Sequence, residues 1–272
     1  MKYKTLSLLY IQRQNSQSKQ NFQFNFPMDF FRLLPEACVS DILSFTSPKD
    51  AAIPSAISRG FNSFLPEDYE IISSRYVSPR ICSSKKELYF SLCDSPVLMD
   101  GGKLSFSLDK KTGKKCFMIS ARELAISWGV DTPWYWEWTS HPDSRFSEVA
   151  HLHRVFWLDI RGTIGTQMLS KRTKYIVYLV FKLAEEHWGL EIANAFVRFV
   201  NRVSDKEAQR NELAGRNLKC PQRRVDEWME IELGNFINDT GDDEDVQARL
   251  MEIKHLNGKG GLIVQGIEFR PG

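Results

Sequence analysis

No run of apolar residues in this sequence approaches the ~20 that a membrane-spanning helix needs, so no such helix is expected. Neither sign of charge is in excess: 36 Lys and Arg stand against 34 Asp and Glu, a net charge of +2. That is far from the basic stripe that a phosphate backbone demands, and nucleic acid is not an expected partner. Cysteines are few and scattered, at Cys38, Cys82, Cys93, Cys116 and Cys220. An odd number without CxxC spacing suggests neither a disulfide framework nor a zinc site, and buried reduced thiols are expected. The sequence has no internal repeat, nucleophile elbow, phosphate loop or dinucleotide fingerprint. No catalytic residue, cofactor or metal is therefore expected, and the protein is expected to be soluble, in the cytoplasm and/or nucleus.

What is present is 272 residues, 42% hydrophobic and 12% aromatic, enough for one sizeable core and a small helical module. Residues 1–32 hold a short apolar patch, Leu6 to Ile11, and then a Gln-, Asn- and Ser-rich stretch with no acidic residue before Asp29. The patch is short for a signal peptide and lacks a small-residue cleavage site. A disordered extension is expected, because so little apolar surface cannot offset the entropy of ordering. Met28 stands immediately before organised sequence.

Over 33–66 the apolar residues Leu34, Val39, Ile42, Leu43 and Thr46 recur at helical spacing, with Pro35 in the first turn and Pro48 closing the segment. A second helical piece, Pro48 to Phe61, is interrupted by Pro54, at a cost of ~3 kcal/mol or more inside a helix. Residues 67–100 read as a linker and the start of the second domain. From Gly101 to Gly272 the texture is mainly β, and an antiparallel, jelly-roll-like β-sandwich is expected. Its runs are Leu104 to Leu108, Lys115 to Ser120, His153 to Arg161, Tyr175 to Leu183, Ala195 to Val200, Trp228 to Leu233, Arg249 to His255 and Leu262 to Phe269. In the sixth, Met229, Ile231 and Leu233 alternate with Glu230 and Glu232, which predicts one dry and one wet face. The last two flank Asn257-Gly258-Lys259-Gly260-Gly261, which predicts a hairpin. Glu185 to Ala193 reads as a helical or looping insertion and Ser204 to Pro221 as a mobile loop.

Ala121 to Trp138 holds four of the seven tryptophans, Trp128, Trp134, Trp136 and Trp138. The apolar face of a pyranose stacks on an indole, and nearby carboxylates accept hydrogen bonds from its hydroxyls. The same rings also suit a core or a buried lid. Asp242-Asp243-Glu244-Asp245 lacks the spacing of a calcium loop and reads as a solvated turn. His151 and His153 offer two metal ligands on one side of a strand, with no third evident in the sequence nearby. Glu230 and Glu232 form a carboxylate pair of the kind glycoside hydrolysis uses, explained more simply as the polar side of a strand.

The stretch Leu34-Pro35-Glu36 through Thr46-Ser47-Pro48-Lys49-Asp50-Ala51 resembles the start of an F-box. Ser83-Ser84-Lys85-Lys86-Glu87-Leu88-Tyr89-Phe90, Gly113-Lys114-Lys115-Cys116-Phe117-Met118 and Gly261 through Pro271 resemble the same subfamily, plant F-box proteins with a phloem protein 2-like (Nictaba-type) lectin domain. The resemblance covers nearly everything after Leu33. Ser63 runs straight into Phe64-Leu65-Pro66, where family members insert a polar stretch and a Val-Trp step, so a truncated third F-box helix is expected. The resemblance implies a Skp-type adaptor and a cullin ubiquitin ligase as partners, docked through Leu34, Pro35, Ile42 and Leu43. It also implies a site for N-acetylglucosamine oligomers or N-glycan cores at Trp128, Trp136, Asp245 and Glu252, with Asp245 one methylene shorter than the family's Glu. Two other readings stay open: a nucleocytoplasmic lectin with a vestigial F-box, and a protein-binding adaptor without sugar recognition.

Overall fold

The computed structural model describes residues 85–272, apart from 201–215, 218–219 and 242–243. The expected extension, the helical module with Leu34, Pro35, Ile42 and Leu43, and most of the Ser204 to Pro221 loop lie outside the described residues.

A helix, α1 (Lys85–Asp94), leads into fourteen described strands. They are β1 (Val97–Met99), β2 (Leu104–Leu108), β3 (Lys115–Ser120), β4 (Ala125–Ile126), β5 (Trp136–Thr139), β6 (Val149–Leu152) and β7 (Leu158–Gly165). Then come β8 (Thr173–Trp188), β9 (Asn194–Phe199), β10 (Arg216–Asn217), β11 (Gln222–Arg223), β12 (Met229–Asn238), β13 (Asp245–Glu252) and β14 (Gly260–Pro271). Every pairing is antiparallel. The larger sheet runs β1-β2-β3-β14-β8-β12-β11, with β6 pairing β14 and β5 pairing β6; the smaller runs β10-β9-β13-β7-β4. Residues of both sheets share one apolar core, so the described chain is mainly β and built as a two-layer sandwich.

The central strand β8 shows why these sequences form strands. Thr173, Tyr175, Val177 and Leu179 are buried on the inner face and alternate with Lys174, Ile176 and Tyr178. Its outer face is covered too: Val180 packs with Met118, Phe146, Val149 and Trp228 in a second, smaller core. The strand runs on to Trp188, which pairs with Gly260, so Glu185 to Trp188 is strand rather than the expected insertion. A long β partner, β14, supplies the backbone hydrogen bonds that keep this polar end extended.

Two other expectations are corrected by the same feature, the passage of the chain from one sheet to the other. Only the second half of the expected strand His153 to Arg161 is strand, in β7; its first five residues cross from β6 in the larger sheet to β7 in the smaller. The glycine-rich stretch before Gly261 is no hairpin, because β13 and β14 also lie in different sheets. Four crossings, at 127–135, 153–157, 189–193 and 253–259, gather at one end of the sandwich. Two are stitched together there by Val155 and Lys259, each donating its backbone N–H to the other's carbonyl at 2.9 and 2.7 Å. The thiols divide similarly: Cys116 is buried and pushed up to about 12 by burial and then by Glu268, whereas Cys220 is exposed.

The polar face of β12 is partly covered at its start, where Glu230 and Glu232 are half-buried, and open farther along, where Asn235 and Ile237 are exposed. Glu230 accepts from Arg224 and Arg270, each at 2.8 Å, beneath a layer that also holds Glu268, Arg145 and Asp226. Burial acts to raise the Glu268 pKa, but Arg224, Arg145 and Arg270 outweigh it and hold the carboxyl below the usual carboxylate range. A folded-state value below the unfolded one contributes stability that is present above the unfolded value, about 4.3, and is lost as pH falls through the folded value. Glu268→Gln is expected to cost about 3–5 kcal/mol at pH 7. It is also expected to flatten the decline of stability below about pH 4. Urea unfolding of wild type and variant across that range measures both.

Candidate functional site

The end of the sandwich where the sheets exchange strands carries most of the residues implied in ligand binding. Its first element is the crossing 127–135, between β4 and β5. Trp136 and Trp138, two apart on β5, face the same way and reach the same loop. The Trp136 Nε1–H donates to the Ser127 carbonyl at 3.1 Å, and the Trp138 Nε1–H donates to the Gly129 carbonyl at 2.8 Å. The carbonyl between them, that of Trp128, accepts from Thr132 Oγ1 at 2.6 Å.

Trp128 itself sits at φ +68°, a left-handed backbone that a bulky residue rarely adopts. Its ring is turned outward and is 55% exposed, edge-on to Tyr135 at 6.2 Å between centroids. Trp134, also exposed, lies edge-on to Tyr135 at 6.3 Å between centroids. Strain of this kind costs about 1–3 kcal/mol and persists only where surroundings over-determine it. Three successive carbonyls held by side-chain donors do so here. Trp136 has the opposite fate: it is only 2% exposed and belongs to the core. It is therefore placed to hold the Trp128 loop, not to meet a ligand with its face.

Glu252 closes β13 and is likewise buried. Its Oε1 accepts the backbone N–H of Lys254 at 2.9 Å and of His255 at 3.1 Å, while Oε2 lies 3.1 Å from Lys259 Nζ. Lys259 is 1% exposed, and its ammonium also donates to the carbonyls of Phe156, His255 and Asn257 at 3.1, 2.8 and 2.9 Å. Burial acts to raise the Glu252 pKa, yet the two amides and Lys259 outweigh it and hold the carboxyl low. The pair fixes the crossing 253–259 and ties it to 153–157. Little lone-pair capacity is left on Glu252 for a ligand hydroxyl.

Asp245 begins the same strand, opposite Gly165, and is exposed. Seven residue-to-residue steps of extended chain separate it from Glu252, about 23 Å. The four implied sugar-site residues therefore do not converge. Ser127 N donates to the Asp159 carbonyl at 3.0 Å and Glu252 pairs with Leu158, which puts Trp128, Trp136 and Glu252 at one end and Asp245 at the other. Asp242 and Asp243 lie outside the described residues. Glu230 is engaged by two arginines, as above.

Sequence reading passed over several residues at this end. Phe156 and Trp157 are exposed in the crossing that the sequence presents as part of a strand, and Trp188 is exposed at the end of β8. Lys259 sits inside a glycine-rich run whose glycines have a steric cause: a Cβ on Gly260 would come within 2.4 Å of the Trp188 ring, and one on Gly189 within 2.2 Å of the Gly258 carbonyl. Glu137 of β5 was also passed over; it faces the two histidines that the sequence does single out, His151 on β6 and His153 just past its end.

Trp136→Phe keeps an aromatic side chain but removes the indole donor and part of its buried volume, leaving the Ser127 carbonyl unpaired beside a small cavity, and is expected to cost about 2–4 kcal/mol. Trp128→Ala, at an exposed position, is expected to change stability by less than about 0.5 kcal/mol. Urea unfolding of the two variants beside wild type checks the contrast.

The model of the phloem protein 2 family matches residues 114–271. Among curated proteins the chain is similar to F-box protein PP2-B10 of Arabidopsis thaliana, 44% identical over 265 residues, covering 90% of this chain and 94% of that protein. It is also similar to F-box protein SKIP3, 38% identical over 259 residues with 88% and 87% covered, and to F-box protein PP2-B1, 37% identical over 305 residues with 89% and 90% covered, both of Arabidopsis thaliana.

Proposed function

The chain belongs to the phloem protein 2 family, among its F-box-bearing plant members, and from that premise we propose that it is a non-catalytic substrate-recognition subunit of an SCF-type ubiquitin ligase. In this reading residues 33–66 recruit the Skp-type adaptor. The sandwich captures a glycoprotein through N-acetylglucosamine oligomers or N-glycan cores, in the cytoplasm or nucleus. Ubiquitin transfer is the work of other subunits.

One observation carries the glycan part: Trp128 is held outward, at a backbone angle that costs energy, by donors committed to the three surrounding carbonyls. A rigid, half-exposed indole suits the apolar face of a pyranose. Trp128 is then the stacking residue, and Trp136 and Glu252 are positioning residues for the loops around it. Asp245, about 23 Å along its strand from Glu252, has no part in the same subsite.

The commitment of Glu252 to Lys259 and two amides favours a second reading, in which the exposed aromatic end binds a protein segment and no sugar. A glycan array of the purified chain separates the two. The proposal expects binding to N-acetylglucosamine-terminated or N-glycan-core structures that is lost in Trp128→Ala and unchanged in Asp245→Ala. Well-folded wild type that binds no glycan overturns it in favour of the second reading.

For the F-box half, affinity purification of the full chain is expected to recover a Skp-type adaptor, with recovery reduced in a Leu34→Ala, Ile42→Ala variant. Failure of the wild-type chain to recover it identifies the F-box as vestigial.

A further inference from the structure

Among the described residues, Glu137, His151 and His153 form a cluster that neither the core nor the aromatic end explains. β5 and β6 are antiparallel, and their register sets Glu137 directly opposite His151. His153 follows two residues later on the same face, and its backbone N–H donates to the Tyr135 carbonyl at 2.9 Å, continuing the ladder past the end of β6. Glu137 Oε2 lies 3.2 Å from His153 Nε2 and 4.0 Å from His151 Nδ1, and the three ligand atoms are all within 4.8 Å of one another. The imidazole centroids are 5.1 Å apart.

We infer that Glu137, His151 and His153 bind a divalent transition-metal ion, zinc(II) or an ion of the same ligand preference, in a two-histidine, one-carboxylate site with an open position. Tetrahedral zinc takes nitrogen and oxygen ligands at about 2.0–2.2 Å, which spaces neighbouring donors about 3.3–3.6 Å apart. One edge of the cluster, at 3.2 Å, is already close to that spacing, and the others, at up to 4.8 Å, need a shift of about 1 Å, within reach of side-chain torsions. The mobile part is small because the strands beneath are fixed: Trp136, Ala150 and Leu152, which alternate with the ligands, are all core residues.

The donor set selects the ion class. Two imidazoles and one carboxylate suit zinc, cobalt, nickel or copper, whereas calcium and magnesium want six or more oxygens. The carboxylate of Glu137 and the ring of His153 are half-exposed, so the fourth position opens to solvent and holds water or an incoming ligand atom. As a plain surface ion pair, Glu137 with His153 contributes little and gives the second histidine no role.

The test is isothermal titration of the chelator-stripped full chain, free of any histidine tag, with zinc chloride, supported by the visible spectrum of cobalt(II) as a probe of tetrahedral coordination. The expected result is one equivalent taken up, with affinity weakened more than about 100-fold in both His151→Ala and Glu137→Gln. His255→Ala, at an exposed histidine outside the cluster, is expected to retain it. Circular dichroism checks that each variant is folded. No stoichiometric uptake by folded wild type, or uptake unchanged in His151→Ala and Glu137→Gln, overturns the assignment.

Discussion

Two indole N–H groups, those of Trp136 and Trp138, hold the crossing between β4 and β5, and the presented surface of this protein depends on that hold. Their spacing on a strand matches the spacing of the carbonyls they cap, so strand geometry is transferred to a loop that has no ladder of its own. The residue caught between, Trp128, has nowhere to turn but outward. The ring that buries and the ring that projects are thus parts of one device, with Arg122 lying over Trp138 at 4.0 Å on its outer flank.

The second constraint is electrostatic. Lys259 brings a charge into the interior, where the cost of leaving water is offset only by full satisfaction of its three N–H groups. Glu252 and three loop carbonyls supply this, and each comes from a segment that must be brought to the same end of the sandwich. The pair therefore specifies where the chain crosses between sheets as well as holding the crossings in place. The arginine layer over Glu268 and Glu230 does a comparable task on the outer face of the larger sheet, roofing a surface that alternation alone marks as solvated.

Where a run stays within one sheet between turn residues the fold was legible: β2 and β3 begin and end where the β-rich runs place them, and β9 differs by one residue at each end. It was not legible where the chain changes sheet. A glycine-rich stretch between two apolar runs looks the same whether it joins paired strands or crosses between layers, and only close approaches such as that of Gly260 to Trp188 tell the two apart. The carboxylates illustrate the consequence for the site. With Asp245 read as loop and Glu252 as strand, nothing prevented them from meeting; one continuous β13 puts them at opposite ends. Glu137 was hidden for the same reason, since a partner across a ladder becomes visible only with the register. The family itself was legible in short motifs scattered over the chain, and the match over residues 114–271 bears it out.

The central claim is that Trp128 meets the ligand while Trp136 only holds it in position. The most direct measurement is a titration of ¹⁵N-labelled protein with N-acetylglucosamine trimer, following the indole N–H resonances of the seven tryptophans. The account predicts that the Trp128 signal shifts most, with the hydrogen-bonded Trp136 signal nearly still. A largest shift at Trp136, or no shift at Trp128 at saturating sugar, would contradict it.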